Sequence, residues 1–302
     1  MSAVNTGNIA KLLWPGLHAI WGEYKDHPVE YKELFDTSSS DKQYEEDQLL
    51  RGLGLAPRKS EGAATVYDST SQGITSRYTH AAYSLGFMLT REALADNQYK
   101  GKALKAMKML ARSFRQTKET VAANVYNRAH DTNYVGGDGK ALCVTDHPTY
   151  SGNQSNRLTT AADFSESALE DLCVQICNAV DESGLKIALQ PSKLLIPTAL
   201  MFEAARVLKS VGQNDSANNA INALRSMGMF SEGAKVNHYF DDPDAFFVKT
   251  DVPEGMRHFE REAPEFAQDN DFDTSNLKYK GYERYSFGWT DFRGVYSNGA
   301  GA

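Results

Sequence analysis

The chain has 302 residues, of which 41% are hydrophobic and 24% are charged, and its formal net charge is −7. This composition is typical of a globular protein and excludes a disordered tail, a collagen-like rod and a small disulfide scaffold. The acidic balance disfavours a basic nucleic-acid-binding domain, and no run of apolar residues is long enough to predict a transmembrane helix.

The first predicted elements are an arm and an extended hairpin. The N-terminal segment mixes acidic and aromatic side chains with a short helical stretch, Ile9–Trp21, which Pro15 interrupts. A short strand-like run, Ala64–Tyr67, then lies among glycines, and a second run extends over Ile74–Leu89. These runs contain too few apolar positions to form a core of their own, so we expect the hairpin to pack on another surface.

The longest predicted element is one amphipathic helix. Apolar residues recur at steps of three and four from Ala103 to Val125, with neither glycine nor proline among them. The helix is predicted to begin near Thr90 or Asp96 and to end before Gly136. Its length, on the order of 50 Å at about 1.5 Å per residue, exceeds what a compact core requires.

Charge is distributed unevenly along the chain. Residues 100–128, within the predicted helix, contain eight basic residues and one acid, a net charge of +7. Acidic segments lie on either side, at residues 23–47 with a net charge of −6 and at residues 241–273 with a net charge of −8. The distribution is therefore more informative than the total.

The basic helix presents its charges in a stripe beside its apolar face. At about 100° per residue, the stripe contains Lys105, Lys108, Arg112 and Arg115. It is either an ordinary solvated surface or a surface that faces a polyanion. The scarcity of acidic partners four residues away supports the second interpretation without excluding the first.

A glycine-rich turn, Gly136–Lys140, and a polar stretch, Thr149–Thr160, predict the start of a second unit. We expect Thr198 to cap one of its helices. Its predicted elements are a helix at Ser165–Val180, a buried strand at Lys193–Pro197, a helix at Ala199–Val211, a hairpin of Val236–Phe240 with Ala245–Lys249, and strands within Leu277–Tyr296.

Two short motifs resemble ligand sites but lack required residues. Gly136–Lys140 contains Gly-Lys, but Ala141 follows where a phosphate-binding loop needs Ser or Thr. Asp269, Asp271 and Asp273 have the spacing of a calcium loop, but the loop's glycine and final glutamate are absent. We therefore predict a helix stop at the first and an acidic solvated loop at the second.

The cysteines and histidines do not predict a metal or catalytic site. Cys173 and Cys177 share one helix face, but a structural zinc site needs four ligands, and Cys143 and His147 are distant in sequence. Known nucleophile and zinc-protease motifs are absent. We predict no catalytic residue, no cofactor and no metal, and the sparse cysteines and lack of an export signal favour folding in a cytoplasm.

Five segments have residue patterns that are typical of a protein family rather than of a catalytic or binding motif. They are Phe35–Glu46, Glu61–Ala64, Leu85–Glu92, Asp242–Phe247 and Glu283–Asp291. With its order of arm, hairpin, long basic helix, second unit and aromatic C-terminal strand, the chain resembles the major capsid protein of tailed bacteriophages, in particular the Mu-like major head subunit group. The resemblance spans nearly the whole sequence.

The resemblance implies an α+β fold, the tailed-phage major capsid fold. Its parts would be an N-terminal arm at 1–44, an extended hairpin loop at 45–89, a peripheral domain with a long spine helix at 90–150, an axial domain at 151–268, and a C-terminal return to the peripheral domain at 269–302.

The resemblance also implies a structural function without catalysis. Copies would assemble as hexamers and pentamers into an icosahedral shell that encloses double-stranded DNA, in a virion assembled in the host cytoplasm. Portal, scaffolding or decoration proteins would be further partners, and no membrane would be involved.

Two groups of candidate contacts follow from the resemblance. The hairpin would contact a neighbouring copy, with Arg58, Lys59, Glu61 and Tyr67 as candidate residues. The spine helix would face the interior, where Lys105, Lys108, Arg112 and Arg115 would meet DNA phosphates without sequence preference.

Other functions stay open from sequence alone. A bacterial nanocompartment shell protein has a similar fold but encloses protein cargo. A DNA-binding protein that uses residues 100–128 is disfavoured by the net charge of −7. Lys59 is either a covalent cross-linking residue or a plain exposed lysine.

Overall fold

The computed structural model describes residues 18, 21, 24, 27–90, 92, 99–212, 221–270 and 276–299. Its helices are α1 (Tyr31–Leu34), α2 (Tyr99–Asn127), α3 (Glu166–Cys177), α4 (Met201–Lys209) and α5 (Ala223–Met227). Its strands are β1 (Asp36–Ser39), β2 (Tyr44–Arg51), β3 (Ser71–Thr79), β4 (Ala81–Leu89), β5 (His147–Thr149), β6 (Gly152–Gln154), β7 (Pro191–Pro197), β8 (Ala234–Asn237), β9 (Phe247–Thr250), β10 (Met256–Asn270), β11 (Leu277–Trp289) and β12 (Val295–Ser297). Short 3-10 turns lie at Thr198–Leu200 and Phe292–Gly294.

The first sheet has the strand order β1-β10-β11-β4 and carries the long helix α2 on one face. Alternation along β11 turns Leu277 and Tyr279 toward the helix, where they form a core with Met107 and Phe114. Gly281 follows in the same register, and a Cβ atom there would lie 2.6 Å from the Phe114 ring. The absence of a side chain at this position lets helix and sheet approach closely.

The second sheet has the order β12-β9-β7-β8 and lies between two apolar layers. Its central strand β7 turns Leu194 and Ile196 toward a core that includes side chains of α3 and α4. Leu195 points the opposite way, into a core that includes Tyr126 of α2. Because both faces of β7 are covered, the strand is a continuous apolar run rather than an alternating one.

The predicted long helix is confirmed as α2. It ends at Asn127, several residues before Gly136. At this end of the helix, Asn127 Nδ2 donates to the carbonyl of Tyr239 at 3.1 Å. Of the two expected starts, Thr90 is not part of a helix and Asp96 lies outside the described residues. The predicted stretch Ile9–Trp21 lies there too, apart from residues 18 and 21.

The predicted helix at Ser165–Val180 and the predicted strand at Lys193–Pro197 are confirmed as α3 and β7. Ser165 caps α3, since its Oγ accepts a hydrogen bond from the backbone N–H of Ala168 at 3.2 Å. The predicted helix at Ala199–Val211 is the shorter α4, preceded by a 3-10 turn. Thr198 begins this turn, and the helix start has no side-chain cap.

The hairpin exists, but its strands differ from the predicted ones. Ala64–Tyr67 is not a strand, and the first strand is instead β2, which pairs antiparallel with β3. The predicted run Ile74–Leu89 is divided at His80 between the hairpin and the first sheet. Both ring nitrogens of His80 are held there, Nδ1 3.0 Å from Ser286 Oγ and Nε2 3.2 Å from Ser40 Oγ.

The predicted hairpin of Val236–Phe240 with Ala245–Lys249 is wrong. Strands form in both places, as β8 and β9, but each pairs with β7 and they lie on its two sides. The turn residues between them, Asp241–Asp244, therefore belong to a longer connection that crosses an end of the second sheet. The buried apolar strand β7 offers both neighbours more apolar contact than they offer each other.

The strands do not follow the predicted domain boundaries. β10, placed in the axial domain up to residue 268, belongs to the first sheet with the long helix. β12, placed in the C-terminal return, belongs to the second sheet. β1 comes from the predicted arm and pairs in parallel with β10. Chain order alone does not reveal these exchanges because each depends on pairing between distant segments.

Candidate interaction surfaces

The long helix exposes a row of cationic side chains. Lys105, Lys108 and Arg112 are exposed at steps of three and four residues, while the side chains of Met107 and Phe114 are buried against the first sheet. The row therefore lies on the side of α2 away from its sheet. This is the geometry that a nonspecific contact with phosphate groups requires, since such a contact needs accessible charge rather than a shaped pocket.

Arg115, the fourth residue of the predicted stripe, is not part of this exposed row. Its side chain is buried, with only 6% of its surface exposed. The guanidinium lies 4.2 Å from the centre of the Tyr24 ring, and Nη2 donates to the carbonyl of Tyr24 at 3.0 Å. The N-terminal segment covers this turn of the helix, which corrects the expectation that Arg115 faces a partner.

Lys118, one turn further along α2, is also buried. Its Nζ lies 3.7 Å from Glu260 Oε1 and 4.0 Å from Glu283 Oε2, which come from β10 and β11. Burial raises the pKa of Glu283 to about 7, although Lys118 opposes this shift. Burial likewise lowers the pKa of Lys118, against the attraction of Glu260 and Glu283. These charges join the helix to the sheet and are removed from solvent.

Glu119 fixes the N-terminal segment to the same part of the helix. Its two carboxylate oxygens accept hydrogen bonds from the backbone N–H groups of Glu30 at 3.1 Å and Tyr31 at 2.8 Å. Burial raises the pKa of Glu119 to about 6, and the two backbone hydrogen bonds lower it in part. Sequence reasoning missed this contact. Its signal was present, since Glu119 is the single acid in a block of eight basic residues.

The hairpin loop, residues 52–70, is exposed along its whole length. The candidate contact residues Arg58, Lys59, Glu61 and Tyr67 all lie on this loop. The apolar side chains on it are exposed as well: Leu55 is 81% exposed and Tyr67 is 91% exposed. Several large apolar side chains exposed together on one loop are typical of an interaction site, so the loop is suited to contact another surface.

The base of the hairpin, in contrast, is anchored to the body of the chain. Tyr78 Oη and Thr290 Oγ1 are 2.5 Å apart, and Thr290 Oγ1 donates to Asp47 Oδ2 at 3.2 Å. Arg257 Nε lies 3.3 Å from the same carboxylate oxygen. We call these residues the hairpin anchor. The sequence did not predict it, because Asp47 and Thr290 are far apart along the chain.

A second contact holds the other side of the hairpin base. The guanidinium of Arg51 lies 3.7 Å from the centre of the Tyr150 ring, and Arg51 Nε donates to Ser183 Oγ at 3.3 Å. The hairpin is therefore fixed where it leaves the body and exposed where it ends. Such an arrangement orients the loop before any partner is present.

The described residues contain no group of three or more His, Cys, Asp or Glu side chains arranged to hold a metal ion. Cys143 and Cys173 are buried, and Cys177 is exposed. Of the three aspartates with calcium-loop spacing, Asp269 is the second-last residue of β10, and Asp271 and Asp273 lie outside the described residues. Among the helices described, none has the length and apolar character needed to span a bilayer.

Comparison with protein families gives one match of large extent. The family described as phage capsid protein matches residues 73–298, which is about three quarters of the chain. The matched segment contains the long helix, the whole second sheet and the strands β10, β11 and β4 of the first sheet, whereas β1 precedes it. No curated protein matches the chain.

Solved structures share the fold at low sequence identity. The capsid of a native GTA particle is 12% identical with a TM-score of 0.55, and the match covers 90% of each chain. The procapsid of bacteriophage JBD30 is 14% identical with a TM-score of 0.52, covering 97% of this chain and 75% of that chain. The virus-like particle from Pyrococcus furiosus is 12% identical with a TM-score of 0.52, covering 93% and 97%.

Proposed function

This chain belongs to the phage capsid protein family, and on that premise we propose that its copies assemble as hexamers and pentamers into an icosahedral shell that encloses double-stranded DNA. The chain is a capsid protein and a component of the virion. Its proposed role is mechanical, with no catalysed reaction, and the shell would be built in the host cytoplasm with portal, scaffolding or decoration proteins.

The observation that carries the proposal is the exposed hairpin loop. Residues 52–70 bury almost nothing within their own chain, although they include Leu53, Leu55, Val66 and Tyr67. Burial of a side chain of this size contributes about 1.5 to 3 kcal/mol, so leaving four of them in water disfavours an isolated chain. A neighbouring copy that covers the loop would recover this free energy.

Electron microscopy of the chain expressed alone, and together with its neighbouring structural proteins, tests the assembly directly. We expect closed shells or flat sheets of hexamers. A discrete monomer or dimer under both conditions would contradict the proposal.

The loop itself is tested with substitutions that leave the body of the chain intact. Leu55→Ser with Tyr67→Ser is expected to give a folded chain that forms roughly tenfold fewer shells, because two buried apolar contacts are removed. The matched control is Ser60→Ala with Ser69→Ala, which changes the same loop at polar positions. Equal shell yields from the two variants would count against the loop as a contact surface.

We further propose that the cationic row of α2, Lys105, Lys108 and Arg112, faces the packaged DNA. The support is exposure together with spacing, since three cations share one face of a helix about 40 Å long. Contact would be with phosphates alone, so it would not depend on sequence and would weaken with salt. Arg115 is buried and is not included.

A shell that encloses protein rather than DNA is the second candidate. The similarity to the virus-like particle from Pyrococcus furiosus favours keeping it, because the match covers almost all of both chains. The content of purified particles decides between the two. Nucleic acid inside the shell supports the first candidate, whereas an enclosed enzyme and no nucleic acid would favour the second.

A further inference from the structure

The helices that cover the second sheet lie over its two opposite edges. The strand order β12-β9-β7-β8 makes β12 and β8 the edge strands. Helix α3 contacts β12 and helix α4 contacts β8, and both helices pack on the same apolar face of the sheet. The outward sides of α3 and of α4 with α5 are therefore opposite flanks of this part of the molecule. We call them the α3 flank (residues 163–177) and the α4–α5 flank (residues 201–212 and 221–228).

The α3 flank is acidic. It carries Asp163, Glu166, Glu170 and Asp171 and contains neither lysine nor arginine. Asp163 and Asp171 are exposed, and the two glutamates are partly exposed. Within the described part of the chain, none of these carboxylates forms an ion pair. An exposed apolar side chain, Val174, lies among them and is 60% exposed.

The α4–α5 flank is basic. Arg206, Lys209 and Arg225 are exposed on it, against one acid, Glu203. The two arginines bond backbone carbonyls of their own flank: Arg225 Nη1 donates to the carbonyl of Lys209 at 3.0 Å and Arg206 Nε to that of Phe202 at 3.4 Å. In the ranges that the structure describes, the three cations have no carboxylate partner. Their charges are therefore held in place but not neutralised.

The α4–α5 flank also exposes large apolar side chains. Phe202, Val211, Ile221 and Met227 are 68%, 75%, 74% and 72% exposed. A separate apolar groove of about 390 Å³ lies between α4, α5 and β8, and Lys209 and Arg225 are among its lining residues. Exposed apolar side chains next to cations are typical of a contact surface for another protein.

We propose that the α4–α5 flank of one copy packs against the α3 flank of a second copy, head to tail around a closed ring. The inference rests on the proposed function, since a shell requires contacts between copies. Because the two surfaces differ, each copy offers both and the contact repeats from copy to copy; the proposed hexamers and pentamers require the rotation between copies that closes this repeat into a ring. Opposite charges fix the register, and Val174 meets the apolar side chains of the neighbour.

Cross-linking tests which surfaces meet. Cys177 is exposed on the α3 flank, and Met227→Cys supplies a thiol on the other flank. A short bismaleimide that alkylates one thiol at each end should give a ladder of linked chains that ends at the ring size. The controls are Cys177→Ser in the same background, and Met109→Cys in place of Met227→Cys. Met109 is exposed on α2, away from both flanks, and should give no ladder.

Charge reversal tests the register. Glu170→Lys with Asp171→Lys should lower the shell yield roughly tenfold, as should Lys209→Glu with Arg225→Glu, because each brings like charges together. The chain with all four substitutions restores opposite charges and should recover the yield to within about twofold. Glu265→Lys, which reverses an exposed charge on the first sheet, is the control and should leave the yield unchanged.

The outcomes separate this inference from the proposed function. If unaltered chains form shells, and the one-flank reversals form them equally well, the inference is wrong while the proposed function stands. A second outcome also overturns the inference. If the cysteine of Met227→Cys is protected from alkylation in shells but does not cross-link to Cys177, the α4–α5 flank contacts a different surface. If unaltered chains form no shells, the proposed function fails and this inference fails with it.

Discussion

Glu283 holds a carboxyl group in the interior between β11 and the long helix. The side chain has no measurable exposure, and its Oε1 has no hydrogen-bond partner among the described residues. Its Oε2 accepts a hydrogen bond from Tyr24 Oη at 3.2 Å. Burial raises its pKa from 4.5 to about 7, against the opposing effects of Lys118 and Tyr24. The group therefore binds a proton more tightly in the folded than in the unfolded chain.

The sign of its contribution to stability follows from this difference. A raised pKa contributes stability that is fully present below pH 4.5 and is lost as the pH rises through about 7. We predict that Glu283→Gln raises the free energy of unfolding by about 1 to 3 kcal/mol at about pH 8 and changes it little at about pH 4. Lys118 retains Glu260 as its counter-ion in this variant.

Urea denaturation across this pH range measures the effect. Glu265→Gln is the matched control, because Glu265 lies on β10 and is exposed, and this substitution should change the free energy of unfolding little at either end of the range. Two parallel curves for Glu283→Gln and the unaltered chain would contradict the assignment of a raised pKa to Glu283.

Arg115 shows what periodicity can and cannot reveal about a single side chain. Spacing along α2 correctly separates the apolar from the charged positions, and it predicts the exposure of Lys105, Lys108 and Arg112. It fails for Arg115 because another segment, 91 residues away in sequence at Tyr24, covers that turn. A pattern within one helix carries no information about which of its charged residues a distant segment will bury.

The hairpin combines a fixed base with an exposed loop. Its strands β2 and β3 are joined to the body through the hairpin anchor, in which Thr290 bonds both Tyr78 and Asp47. One hydroxyl group thus serves both strands of the hairpin. Removal of that hydroxyl leaves the buried Tyr78 hydroxyl without this partner, which costs about 1 to 3 kcal/mol, while Asp47 keeps its ion pair with Arg257.

We predict that Thr290→Val loosens the hairpin without unfolding the chain. Amide hydrogen exchange in β2 and β3 should accelerate by about tenfold, while exchange in the centre of α2 should not change. Thr75→Val is the control, because Thr75 lies in the same hairpin but is exposed. If both variants exchange alike, Thr290 does not orient the hairpin.

The strands illustrate where sequence signals mislead. β2 was missed because Glu45, Glu46 and Asp47 are poor strand formers, yet each is paired in the structure, with Lys42, Arg77 and Arg257 respectively. The same charged residues that weaken the strand prediction form ion pairs in the folded chain. Conversely, Ala64–Tyr67 has strand-forming residues but pairs with none of the described strands, and it is exposed.

The cationic row lends itself to a test on complete particles. We predict that Lys105→Glu, Lys108→Glu and Arg112→Glu together leave shell formation intact but reduce the DNA retained per particle several-fold, because three phosphate contacts per copy become repulsive. The ratio of absorbance at 260 and 280 nm of purified particles measures this. The control, Lys105→Arg with Lys108→Arg and Arg112→Lys, keeps the charge and should behave like the unaltered chain. An unchanged DNA content in the reversed variant would place the row away from the DNA.

Local residue patterns and the resemblance to a family were enough to predict the main elements of the fold. The pairing of the strands could not be predicted in this way. The long helix, the buried strand β7 and the exposed hairpin loop each follow from residues close in sequence. The position of β10 in the first sheet and that of β12 in the second do not, because both strands pair with segments far along the chain. The acidic and basic flanks became visible only when strand order placed α3 and α4 at opposite edges.

The exposed loop also makes the chain a reporter of its own assembly. Arg58 and Lys59 are adjacent, exposed and held out on an anchored hairpin, which is the form in which trypsin cleaves a folded protein. After a cut there, the pairing of β2 with β3 keeps the two fragments together, so a nicked chain stays folded. Trypsin does not cleave a copy whose loop is covered by a neighbour. The uncleaved fraction of the chain therefore measures the fraction of copies that have joined a shell.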